Sequence, residues 1–146
     1  IMIRAALLSV CLSVVPLMAT AQTVRDCDTW EANARNLVDP VSENVRSYSN
    51  GSVRVIALDT VDPAVAWGHI LVQFPAENDT YWDCRLISSY GGNGFSDIEM
   101  TAMQSSYDPA TGLTLTVPIS RYDNGDYKDG SLRITINQAT GVVTAQ

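Results

Sequence analysis

The chain has 146 residues, with sixteen acidic against nine basic side chains, one histidine and a formal net charge of −7. That balance argues against nucleic acid and anionic lipid as partners, because like charges repel over a Debye length of about 8 Å. A single imidazole rules out metal sites built on two histidines, and any Ser-His-Asp set would have to use His69.

Residues 2–21 read as a secretory leader: one positive charge at Arg4, an apolar run over 5–18, and Ala19-Thr20-Ala21 before Gln22. The run is shorter than the roughly 20 residues a spanning helix needs. Cleavage near Ala21 and a soluble periplasmic or extracellular product are therefore expected, with one mature domain over 22–146. Cys11 lies deep in the apolar run behind Val10, the wrong place for a lipid-modified cysteine. Losing Arg4 leaves eight basic against sixteen acidic side chains, so a charged partner should be a basic protein. No membrane insertion of the mature chain is expected. Its two cysteines, Cys27 and Cys84, are expected to join once exported. Closing that loop would restrict the unfolded chain by about 4 kcal/mol in the entropy model.

Asp28 followed by Glu31 forms a capping box, and Trp30, Ala34, Leu37 and Val38 recur on one helical stripe, which predicts a helix over 29–38 ended by Asp39-Pro40. Beyond Pro40 the period changes to two. Asn50-Gly51 predicts a hairpin between strands at 45–49 and 53–58, since its turn needs positive φ at both residues. The almost continuous apolar run 65–74 predicts a strand buried on both faces. A strand over 80–88 follows, with Trp82, Cys84 and Leu86 on the inward side.

A strand over 95–107 leads through residues 108–112 into the alternating Leu113, Leu115, Val117 and Ile119, where Pro118 predicts an edge or a bulge. A polar loop over 122–130 precedes Leu132, Ile134 and Ile136, and residues 137–141 turn into 142–145. The turns 108–112 and 137–141 share a chemistry in which Gly112 and Gly141 take the left-handed position. The expected class is mainly β (α+β): an N-terminal helix packed on an antiparallel meander of about eight strands, as a sandwich or a small barrel.

No G-x-S-x-G or H-E-x-x-H motif is present, and pairing of the cysteines would leave no thiol for nucleophilic chemistry. Asp123, Asp126 and Asp129 could offer oxygen ligands to calcium, but Lys128 stands where a ligand is needed and no bidentate acid follows, so neither metal nor cofactor is expected. The segment Ser88, Ser89, Tyr90, Gly91, Gly92, Asn93, Gly94, Phe95 is the candidate partner-binding loop. Its glycines allow close backbone approach and its aromatics offer rigid contact area. It is loosely similar, over Ser88 to Phe95 alone, to the Ser-, Gly- and Tyr-bearing loop with which small exported β proteins inhibit lysozymes. The resemblance implies a protruding inhibitory loop. The expected function is thus an exported binding or inhibitory module, against two competitors: a hydrolase using His69, and an envelope structural component pairing through a sheet edge.

Overall fold

The computed structural model describes residues 22–76 and 80–146, so the expected leader lies outside the described residues. Ten strands among them form two antiparallel sheets. In the first, β2 (Val45–Tyr48), β3 (Val53–Asp59), β4 (Gly68–Pro75) and β5 (Trp82–Ser88) run in sequence, and β1 (Thr23–Asp26) pairs with the far side of β5. In the second, β8 (Gly112–Asp123), β9 (Asp126–Asn137) and β10 (Val142–Ala145) form a meander. Two short strands, β6 (Asp97–Ile98) and β7 (Gln104–Asp108), share the other side of β8.

Strand alternation sends Val53, Val55 and Ala57 of β3, Ile70, Val72 and Phe74 of β4 and Ile87 of β5 toward the second sheet. There they meet Leu113, Leu115, Val117 and Ile119 of β8 and Leu132, Ile134 and Ile136 of β9. The architecture is a sandwich, not a closed barrel. The opposite faces of β3 to β5 carry Leu58, Leu71 and Leu86, which form a smaller core with Cys27, Ala32 and Cys84. β4 is therefore buried on both faces, as its apolar run requires. Cys27 and Cys84 are joined, with 5.6 Å between their Cα atoms, and the residues after Cys27 are held over this outer layer.

The helix expected over 29–38 does not form. In its place the chain makes tight turns, a 3₁₀ turn at Ala34–Asn36 and an extended bridge from Leu37 to Leu58. The Asn36 side chain donates to the carbonyls of Trp30 and Glu31, at 3.2 and 2.9 Å. Asn33 caps the short turn by accepting from the Arg35 amide. Glu31 points down to Arg25 instead of closing a capping box, and Trp30 is 65% exposed instead of packed. Among the described residues the α-helix present is one turn, α1 (Val41–Asn44).

The turns follow local chemistry more faithfully. Ser49, Asn50 and Gly51 all have positive φ in the β2–β3 hairpin, and Gly112 and Gly141 sit at φ +94° and +70°. The strand expected over 95–107 is broken: Phe95 bridges Gly68, β6 is two residues long, and a 3₁₀ turn at Met100–Ala102 precedes β7. Pro118 explains the break. Its carbonyl accepts from the Glu99 amide at 3.0 Å, so its missing N–H faces the same neighbour and the ladder cannot continue there. The expected loop over 122–130 shrinks to Asn124-Gly125, at φ +50° and +85°, with Asp123 opposite Asp126.

Candidate functional site

The candidate loop splits into a buried base and an exposed tip. Ser88 and Ser89 end the strand side and Gly94 and Phe95 the other, all four buried, with Ser88 and Phe95 at 0% exposure. The tip, residues 90–93, holds a short 3₁₀ turn at Tyr90–Gly92 with Gly91 at φ +64°; the Ser89 amide donates to the Asn93 carbonyl at 2.7 Å and the Asn93 amide to the Tyr90 carbonyl at 3.2 Å. Thr23 of β1 braces it from outside: its hydroxyl donates to the Ser89 carbonyl and accepts from the Gly92 amide, both at 3.2 Å. The base is tied by reciprocal Gly68 and Phe95 backbone bonds. A Cβ at Gly94 would overlap the Ala66 carbonyl, so glycine is required where these segments touch.

Tyr90, 43% exposed, stands on one wall of a cleft of about 530 Å³, larger than the clefts of about 370, 290 and 210 Å³ elsewhere on the described surface. Asn93 and Val65 share this cleft, and the tip of the β8–β9 hairpin closes it with Arg121, Tyr122 and Lys128. The Arg121 guanidinium lies over the Tyr90 ring at 5.2 Å and the Phe95 ring at 5.7 Å, within cation–π range of both. A side chain at Gly130 would begin 3.2 Å from Arg121 Nη1, so the absence of one there makes room for the guanidinium. Tyr122 and Tyr127 meet edge to face at 5.2 Å, and Lys128 pairs with Asp123 at 3.1 Å in an exposed bridge. The site thus combines aromatic walls, a half-buried guanidinium and an amide side chain on a braced frame, an arrangement suited to holding a ligand.

Arg121, Tyr122 and Lys128 were not among the residues expected to bind. Two local signals point to them. Arg121 continues the inward phase of Leu113, Leu115, Val117 and Ile119, and Asn124-Gly125 is the same hairpin dipeptide as Asn50-Gly51.

His69 is away from the cleft, in the outer layer, 4% exposed, with Nδ1 2.7 Å from the Ser88 hydroxyl. Burial is the main influence lowering its pKa and nearby Arg25 lowers it further, while Glu31 opposes both. Glu31 is itself buried. Burial acts to raise its pKa, but hydrogen bonding and charge, chiefly from Arg25, outweigh this and hold the carboxyl below its ordinary range. This grouping brings a serine, a histidine and a carboxylate close together. Ser88, however, is fully enclosed and meets Nδ1, while in Ser-His-Asp enzymes the nucleophile meets Nε2 and reaches a substrate. Of the carboxylates 123, 126 and 129, Asp123 is taken by Lys128, and Asp129 lines a separate groove with Asp97 and Glu99. No group of three or more metal-ligating side chains is found among the described residues. No helix among them is long and apolar enough to cross a membrane.

No protein-family model, curated protein or solved structure matches the chain.

Proposed function

We propose that the chain is an exported binding or inhibitory module that seats a partner protein at the Tyr90 end of the sandwich. The observation that carries this reading is the braced turn at residues 90–93: its ends are buried, its tip is held by backbone bonds, and the part-exposed Tyr90 lines the 530 Å³ cleft. A fixed aromatic tip loses little conformational entropy on binding, the property that makes tyrosine effective in recognition surfaces. The disulfide supports assignment to an oxidising compartment, and the net negative charge supports steering toward a basic partner.

Photo-cross-linking in the producing cell tests the reading. A photoreactive side chain at Asn93 should capture a discrete partner, and the same group at Tyr107, on the exposed edge strand β7, should not. Cross-links confined to position 107 would favour an assembly component that pairs through its sheet edge. Those, or no adduct at position 93, would overturn the proposal.

A further inference from the structure

We infer that the cleft beside Tyr90 recognises an acidic side chain of the partner polypeptide, flanked by aromatic or apolar residues, through the Arg121 guanidinium. This rests on the reading of the cleft as the partner site and names the chemistry of the contact.

Most cations of this acidic chain are engaged within it or extend into solvent. Arg25 pairs with Glu31, Arg85 with Asp83 and Lys128 with Asp123. Arg54 stacks on Trp82 at 3.9 Å, Arg46 donates to the carbonyls of Ser42 and Val45, and Arg35 and Arg133 extend into solvent. Arg121 differs from all of them. It is half-buried with its Nε enclosed and without a hydrogen-bond partner, a feature Arg25 shares, but whereas Arg25 is paired with Glu31, no ion pair among the described residues involves Arg121.

Nε is shut off from solvent, so an entering group meets this cleft-lining guanidinium through its Nη groups, and the group these fit best is a carboxylate, which accepts charge-assisted N–H bonds from the planar fork. Asp123, the carboxylate lining the same cleft, is already turned to Lys128. The Tyr90 and Phe95 rings hold the guanidinium in place but satisfy none of its N–H groups in their planes. Tyr90, Tyr122, Pro63 and Val65 then offer apolar surface on either side of an entering acid. Net negative charge does not prevent the contact. It acts over a screened distance and steers a partner that is basic overall, whereas Arg121 acts at contact on one acidic side chain.

Three probes separate the outcomes on the whole disulfide-bonded domain: acetyl-Tyr-Glu-Tyr-amide, its Gln counterpart, and acetate. The readout is the ¹⁵N–¹H resonance of Arg121 Nε together with the amides of residues 90–93. The expected result is that the Glu peptide moves the Nε signal and the cleft amides, and binds about tenfold tighter than the Gln peptide, the ratio for one charge-assisted contact. Arg121→Gln should remove the preference. Should that variant not fold, the Glu/Gln comparison on the wild type still decides the matter.

Equal shifts from both peptides would overturn the acidic-side-chain inference and leave the cleft as a partner site. Acetate reproducing the Glu effect at the same concentration would mean a small-anion site and would also overturn it, as would a Glu preference that survives Arg121→Gln. Silence of every cleft resonance contradicts the inference, while the partner site is judged separately by the cross-link at position 93.

Discussion

The Nδ1 of His69 lies 2.7 Å from the hydroxyl of Ser88 beneath the N-terminal segment, a polar contact placed inside an apolar layer. Neutral imidazole suits that position, and burial lowers the pKa below the ordinary 6.5 despite the opposing pull of Glu31. The unfolded chain therefore binds a proton that the folded chain resists. The contribution of His69 to stability is complete above pH 6.5 and is lost as pH falls through the folded value. Urea unfolding at pH 7 and pH 5 should show the wild type losing its advantage over His69→Gln on acidification. An advantage that holds constant or grows would contradict the assignment. Glu31 and Asp83, both depressed, act in a separate window below their ordinary values of 4.5 and 3.8. At this scale the sequence already showed that His69 stood in an apolar strand. That its neighbour is Ser88 was hidden, because the pair depends on the register of β4 against β5, nineteen positions apart. Arg121 is legible from the alternation of β8, but the polar residues that follow it, 122–130, have the composition of a loop and mask the continuing strand.

Elements defined by local chemistry were read most accurately. Asn50-Gly51 and the glycines ending 108–112 and 137–141 adopt left-handed angles because few other residues tolerate them, a constraint settled within four or five residues. The segment 29–38 is the counterexample. Its apolar spacing and capping residues suit a helix, yet Asn36 takes two carbonyls that a helix would use, Arg25 draws Glu31 downward, and the disulfide and the Leu37–Leu58 bridge anchor both ends. These partners lie outside the segment, so tertiary contacts overrode a weak local preference. Trp30 distinguishes the two forms. A tryptophan packed between a helix and a sheet would cost about 3–5 kcal/mol on truncation, whereas one 65% exposed should cost less than about 1 kcal/mol. Denaturant unfolding of Trp30→Ala should give the smaller value; a loss in the larger range would restore the packed helix.

At the scale of the molecule, two sheets and a disulfide-held outer segment turn a chain of modest length into a frame with cores on both faces of the first sheet. The mainly β class followed from period-two patterning. The choice of sandwich over barrel did not, since it depends on which strands leave their edges unpaired, and Pro118 decides part of that only through its partner Glu99. In the proposed binding role, the frame serves to hold residues 90–93 in place. The Ser89–Asn93 and Gly68–Phe95 backbone bonds and the Thr23 brace make the tip an extension of the sheet. Native-state hydrogen exchange on the free protein tests this most directly. The amides of Ser89, Asn93 and Phe95 should be protected to nearly the level of β4 and β5, while Gly91 exchanges quickly. Uniformly fast exchange across 88–95 would show a slack connection and remove the basis for a preformed recognition site.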